Sequence, residues 1–296
     1  MRSGPPESAR LPDAPSARDH RLTQREPRVG DHGAPDTASL GVTTVTAQAA
    51  VAGAGAAGST PTRLSRRHGA PRPRYLVAKR CLDIVGACVL LVLVSPLLAI
   101  VAIAIKVDSR GPALFGQQRI RARRINGGTD WALDTFRLYK FRTMVADADP
   151  SLHRHYIEAY IARNEAALAA LRPGRGSGES YRPLRDPRVT RVGAVLRKLS
   201  LDELPQLWNV VRGDMSLVGP RPPLPYEVAL YGERELQRLT TPQGITGLAQ
   251  VRGRCSIGFD DLVRYDLEYV SSQSVWLDLR VLALTLPVVL SRRGAD

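Results

Sequence analysis

The residues best equipped for chemistry lie between Arg197 and Pro222, in the run RKLSLDELPQLWNVVRGDMSLVGPRP. Two adjacent carboxylates, Asp202 and Glu203, stand there between two arginines, Arg197 and Arg221. An ionised carboxylate can attack phosphorus when other groups neutralise the phosphate oxygens, and arginine does so through two parallel hydrogen bonds. Attack by one anion on another asks for further positive charge, so Mg²⁺ held by Glu203 and by substrate oxygens is expected. Consecutive helical residues point about 100° apart, which lets Asp202 face the phosphorus while Glu203 serves the metal. The same residues also spell a helix start. Ser200 suits an N-cap, Glu203 follows three residues later as in a capping box, and Leu204, Trp208 and Val211 form an apolar stripe. Locally, catalysis and capping both stay open. Arg221, between Pro220 and Pro222, sits on stiff extended backbone, as a phosphate fork or as part of a connector. Lys140 and Arg142, two apart on one strand face, are further candidate anion ligands or a solvated strand edge.

The elements around these residues decide between the readings. A chain of 296 residues with 44% hydrophobic content holds one or two domains and a sizeable core. Its net charge of +14 suits nucleic acid, an anionic lipid surface or phosphorylated substrates. The arginines cluster with paired carboxylates and not with aromatic stacking positions, which argues against nucleic acid. Cys81, Cys88 and Cys255 form no CxxC pair or disulfide framework. The five histidines, His20, His32, His68, His153 and His155, have no metal-ligand spacing, so neither zinc nor histidine catalysis is expected.

From Met1 to about Arg74 the chain is rich in Pro, Gly, Ala, Ser, Thr and Arg without period, and reads as a disordered tail with no signal peptide. Ile84 to Ile105 is then apolar without a charge, about the ~20 residues of a bilayer span. Ser95 and Pro96 fall in its middle, where a bend is expected. Basic residues flank both ends: Arg72, Arg74, Lys79 and Arg80 before, Lys106, Arg110, Arg119, Arg121, Arg123 and Arg124 after. The positive-inside rule therefore favours a helix that enters, turns at Ser95-Pro96 and leaves by the same face, with a kinked span as the alternative. Downstream, Leu114 to Ile120 and Ala132 to Phe141 read as a hairpin around Asn126-Gly127-Gly128. Pro150 to Leu171 reads as one helix, Pro173 to Tyr181 as a flexible loop, and Val189, Val192 and Val195 mark a short helix. Tyr226 to Leu239 and Asp260 to Val270 are further helices. Gly244, Gly247 and Gly253 suggest a compact loop without a nucleotide fingerprint. The last segment, with Trp276 and Arg280 near its start and Arg292-Arg293 at its end, suits a helix at a membrane surface or a buried one.

Taken together, KRCLD, the Ser-Pro pair in an apolar run, KFRTM, DPRVTRVG, the long central run and GITGLAQVRGR resemble the bacterial sugar transferase family. These are the monotopic phosphoglycosyl transferases, and the resemblance covers about Tyr75 to the C-terminus. It implies transfer of a phosphosugar from a UDP-sugar to polyprenyl phosphate, releasing UMP. It further implies that Asp202 is the nucleophile of a covalent phosphosugar intermediate and that Glu203 serves Mg²⁺. Arg197, Arg221 and Lys140 would help form the substrate site, and Ser95 and Pro96 would break a re-entrant membrane helix. Larger members carry several spans before this region, so the chain resembles the minimal form, and RARRINGGTDWALD looks longer than the usual hairpin. The fold expected is α+β and mostly helical: a disordered tail (1–74), a re-entrant membrane helix (75–110) and a cytoplasmic catalytic domain (111–296) with a small β-hairpin and amphipathic interfacial helices. The competing readings are a glycosyltransferase that releases UDP and a non-enzymatic basic membrane scaffold.

Overall fold

The long apolar run folds as a single helix, α1 (Pro73–Asp108), in a computed structural model that describes residues 63–65, 71, 73–125, 130–146, 148–149, 151–171, 188–253 and 257–290. Pro73 opens it, where a missing N–H costs nothing. Its helical assignment continues through Ser95 and Pro96, without the interruption expected there. An apolar helix keeps every other backbone bond around a proline, and the Ser95 hydroxyl turns back to donate to the Val92 carbonyl at 2.8 Å.

One stripe of α1 is occupied along nearly its whole length. Ala87, Leu91 and Val94 pack against Leu207, Val210 and Leu217, while Leu98, Val101, Ala102 and Ile105 pack against Phe141, Leu196 and Leu201. The spacing of three and four residues is that of a single helix face. Val85, Val89, Val92, Leu93, Ile100, Ile103 and Val107 are exposed on the remaining surface. Lys79 and Arg80 are not free headgroup-facing charges, as the flanking-charge reading supposes. Lys79 is 3% exposed and donates to the Val218 carbonyl at 2.8 Å, to Tyr269 Oη at 3.1 Å and to Asp278 Oδ2 at 3.1 Å. Arg80 donates to the carbonyls of Val210 and Val211 at 2.6 and 2.9 Å. Asp83 accepts from the Ser216 hydroxyl at 2.9 Å and the Leu217 amide at 2.8 Å. The KRCLD segment thus bolts the long apolar helix to the rest of the fold.

The hairpin is longer than expected: β2 (Leu114–Arg124) pairs antiparallel with β3 (Asp130–Phe141), in register from Leu114 opposite Phe141 to Arg124 opposite Trp131. Its turn at Asn126-Gly127-Gly128 lies outside the described residues. β1 (Arg63–Ser65) adds to the other edge of β3, so this part of the expected disordered tail is a strand; residues 1–62 lie outside the description. The single helix expected from Pro150 to Leu171 is two, α2 (Ser151–Ile161) and α3 (Glu165–Ala170). Arg163 adopts a left-handed φ of 55° between them, and Asn164 restarts the helix by accepting from the Ala167 amide. The loop from Pro173 to Tyr181 is outside the described residues, as are Cys255 and Arg292-Arg293.

α4 (Arg191–Lys198) is capped by Thr190, whose hydroxyl accepts from the Gly193 amide at 3.0 Å. A 3₁₀ turn (Leu201–Glu203), α5 (Gln206–Arg212) and β4 (Ser216–Val218) follow, and β4 pairs parallel with β5 (Gly244–Thr246). Between these strands the helix expected from Tyr226 to Leu239 is broken into α6 (Pro225–Val228), α7 (Glu233–Leu236) and a 3₁₀ turn (Gln237–Leu239), with Gly232 at the break. The glycine-rich stretch contains α8 (Leu248–Arg252); α9 (Phe259–Ser272) and α10 (Val275–Leu290) close the chain. The fold is α+β and mostly helical, as expected.

Candidate active site

Three segments converge on Asp202. β3 delivers Lys140 from its end, and Thr143 follows two residues beyond the strand. Gly193 lets α4 lie directly on that exit, because a methyl group there would stand 2.1 Å from the Thr143 carbonyl oxygen. The Thr190 amide donates to the same carbonyl at 3.0 Å, and Arg197 Nε donates to the Thr143 hydroxyl at 2.9 Å. β4 leads through Gly219 and Pro220 to Arg221.

The capping box does not form. Ser200 adopts a left-handed φ of 56° and makes no capping bond, so Asp202 and Glu203 sit in a 3₁₀ turn, and the helix begins only after Pro205. Leu204 itself is helical (φ −55°, ψ −36°), but Pro205 has no N–H to donate to the Leu201 carbonyl, so the helical ladder is interrupted there and α5 starts after it. The apolar stripe shifts with it: Leu207 and Val210 are buried, whereas Trp208 is 52% exposed. Asp202 is only 7% exposed. Glu203 accepts from Arg221 Nη2 at 2.8 Å. The expected metal ligand and the expected phosphate fork are thus paired with each other.

Lys140 carries the strongest electrostatic mark of the site. Burial, with Arg119, Arg221 and Arg197 nearby, lowers its pKa to about 7 although Asp202 pulls the other way. Its Nζ also lies 5.4 Å from the Phe115 ring centroid. A lysine, three arginines and one buried carboxylate within mutual reach form a centre that attracts a polyanion. Arg142, in contrast, is not brought to this centre. It is buried and donates to the carbonyls of Ser109 (2.7 Å) and Arg110, closing the segment that follows α1. Alternation puts Lys140 and Arg142 on one face, but the strand ends at Phe141, and Arg142 turns to pair with that segment.

Several members are not visible in the local sequence. Arg119, which reads as a membrane-flanking charge, is buried; it donates to the Pro222 carbonyl at 2.8 Å and lies 4.0 Å from Glu227. Arg238 is also buried, pairs with Asp266 at 2.6 Å, donates to Tyr231 Oη at 2.8 Å and reaches the Arg221 carbonyl at 3.4 Å. These two arginines grip the backbone on either side of the Arg221–Pro222 peptide. An arginine at one inward strand position is the sole sequence signal for Arg119, and nothing local marks Arg238. His153 on α2, set aside on spacing, belongs to the same neighbourhood. Burial and the charges of Arg119, Lys140, Arg188 and Arg197 lower its pKa to about 4, so it is neutral at physiological pH.

Asp202, Glu203, Arg197 and Arg221 line a cavity of about 400 Å³. Its opposite wall is hydrocarbon, supplied by Leu90 and Val94 of α1 and by Leu282, Leu286 and Val289 of α10. Such a volume is that of a small-molecule site. Among the described residues no group of three His, Cys, Asp or Glu side chains could hold a metal ion. The carboxylate pair suits an ion that takes most of its ligands from water and substrate phosphates, as Mg²⁺ does, and not a resident metal.

A buried carboxylate ringed by cations, at the floor of a cavity walled by a membrane helix, defines a membrane-associated enzyme for phosphorylated substrates. Residues 74–292 match the model of the bacterial sugar transferase family. The chain belongs to that family. It is 38% identical over 237 residues to the exopolysaccharide production protein ExoY of Rhizobium meliloti, covering 80% of this chain and 96% of that protein. It is 39% identical over 248 residues to the UDP-glucose:undecaprenyl-phosphate glucose-1-phosphate transferase of Caulobacter vibrioides, covering 80% of each. It is 39% identical over 217 residues to the undecaprenyl-phosphate galactose phosphotransferase of Salmonella typhimurium, covering 73% of this chain and 41% of that longer protein.

Proposed function

We propose that the protein transfers a phosphosugar from a UDP-sugar to polyprenyl phosphate, of the undecaprenyl type, with release of UMP, as the initiating step of an exopolysaccharide or related glycoconjugate. The observation that carries this reading is the cavity that puts Asp202, Arg197 and Arg221 opposite a hydrocarbon wall, with Lys140 and Arg119 in electrostatic reach of the same centre. One site then serves a soluble diphosphate and a lipid phosphate. The names of the relatives, which include undecaprenyl-phosphate sugar phosphotransferases, support the same pair of substrates.

In the first step a carboxylate oxygen of Asp202 attacks the phosphorus that bears the sugar. The bond from that phosphorus to the UMP oxygen breaks, leaving an aspartyl-phosphosugar and free UMP. In the second step an oxygen of polyprenyl phosphate attacks the same phosphorus, and the carboxylate leaves regenerated. Lys140, Arg119, Arg197 and Arg221 take up the negative charge of the donor. Because Glu203 holds Arg221 at 2.8 Å, donor binding exchanges a carboxylate partner for a phosphate one. Mg²⁺ bound by Glu203 and the donor would neutralise charge on the leaving UMP.

The packing of α1 supports a re-entrant helix on the cytoplasmic face of the inner membrane. Lys79 near one end bonds Val218 and Asp278, and Asp108 at the other accepts from the Val192 amide of α4 at 3.2 Å. The helix between these points measures roughly 44 Å along its path, more than the ~30 Å hydrocarbon core, yet both ends meet the same catalytic body. A perpendicular span would carry that body through the bilayer. Incubation of membranes with polyprenyl phosphate and a panel of UDP-sugars tests the reading. UMP is the expected product; UDP would indicate a glycosyltransferase instead.

A further inference from the structure

Gln250 on α8 is a polar group that the proposed chemistry leaves unused. Its amide nitrogen and oxygen are both shielded from solvent and without a hydrogen-bond partner, and the residue lines the Asp202 cavity. Its surroundings are tight: a methyl group added at Gly247 would stand 2.8 Å from Gln250 Oε1 and 2.4 Å from the Gly219 carbonyl oxygen. The amide therefore lies against the start of the loop that carries Arg221. Asp266, buried on α9, lines the same cavity; its Oδ2 accepts from Arg238, while Oδ1 has no partner.

A buried amide without a partner destabilises a fold, so methionine would serve packing better at position 250. The unpaired groups comprise one N–H₂ donor and two oxygen acceptors. A phosphate brings only acceptors and is repelled by the Asp266 carboxylate; a prenyl chain brings no hydrogen bonds. A hydroxyl both donates and accepts, and vicinal hydroxyls match an amide beside a carboxylate. In the reaction proposed above, the sugar is joined directly to the phosphorus that Asp202 attacks, so its ring must lie within this cavity.

We propose that Gln250, together with the free oxygen of Asp266, forms the subsite that reads the hydroxyl pattern of the donor sugar. This rests on the phosphosugar-transfer reading. Sugar binding swings the Gln250 amide toward the ring about its three side-chain torsions and gives it the partners it lacks.

The test uses the full chain in membranes, with polyprenyl phosphate and UDP-glucose, UDP-galactose and UDP-N-acetylglucosamine as donors, comparing wild type with Gln250→Met. UMP release gives kcat/KM for each donor, and displacement by UDP gives the affinity for the nucleotide alone. Expected is a fall of about tenfold to a hundredfold for the preferred donor, a flattened ratio among donors, and UDP affinity within about twofold of wild type. Should the methionine variant fold poorly, Gln250→Glu, of the same size, enters the same comparison and is expected to reorder the donors. Unchanged donor ratios, or an equal loss for all donors and for UDP, would overturn the subsite and leave a packing residue or a water-binding amide. Wild type that releases no UMP with any donor would overturn the parent reading, and the subsite with it.

Discussion

Lys140 should take up a proton when the donor binds. In the free protein its pKa is about 7, lowered first by burial and then by Arg119, Arg221 and Arg197. A diphosphate laid among these groups neutralises the arginine charges and restores the lysine toward its ordinary value of about 10.5. The sign follows from linkage: between the two values the bound state holds more protons than the free one, so affinity falls as pH rises. At pH 8 a group with a pKa of 7 is about one-tenth protonated, so binding takes up about 0.9 proton; at pH 6 it takes up about 0.1. Over pH 6.5 to 8.5 the affinity should drop about 25-fold if the pKa returns fully to 10.5. The assay is calorimetry with a methylene analogue of the UDP-sugar, which neither reacts nor titrates near neutrality. Measurement in two buffers of different ionisation enthalpy counts the protons. Lys140→Met should abolish the uptake at pH 8. No uptake in wild type, or the same uptake in the variant, would refute the placement of Lys140 among the phosphate ligands.

Other expectations follow from the packing. Gly193→Ala forces α4 off the Thr143 carbonyl, 2.1 Å from the new methyl, and should lower kcat by about tenfold or more through Arg197; turnover within twofold of wild type would contradict it. Lys79→Met leaves Asp278 buried without its cation and should cost about 3–5 kcal/mol in denaturant unfolding, whereas a loss under about 1 kcal/mol would mean that Tyr75 and Tyr269 suffice. Arg142→Gln should lower thermal stability and leave affinity for the donor analogue within about twofold; a tenfold loss would return Arg142 to the anion site.

The long apolar helix and the hairpin were legible because each has a strong local signature, an uninterrupted apolar run and two alternating segments, and the family was legible from the motif around the central carboxylates. The capping box failed because Ser200 itself is left-handed and makes no capping bond, and Pro205, which has no N–H, interrupts the ladder and leaves a 3₁₀ turn before it. Arg142 failed because alternation assigns a face but not what lies beyond the strand end, here the carbonyls of Ser109 and Arg110. Lys79 and Arg80 look the same in sequence whether they meet lipid headgroups or Asp278 and the last turn of α5. Arg119, Arg238, Glu227 and Asp266 become a single buried array only when β2, α6, α9 and the Gln237–Leu239 turn meet. That is a tertiary fact with no local period. His153 lacks a metal-ligand partner in sequence, and its distinction comes from burial and from four cations contributed by other segments.

The covalent step is the centre of the account, and intact-protein mass spectrometry tests it most directly. Full-length protein incubated with a UDP-sugar and Mg²⁺, without polyprenyl phosphate, should gain the mass of one phosphosugar and release an equal amount of UMP. The adduct should map to Asp202, be absent from Asp202→Asn, and disappear when polyprenyl phosphate is added. Release of UMP by Asp202→Asn at the wild-type rate, or an unmodified wild-type protein that turns over with acceptor present, would contradict the assignment of Asp202 as nucleophile.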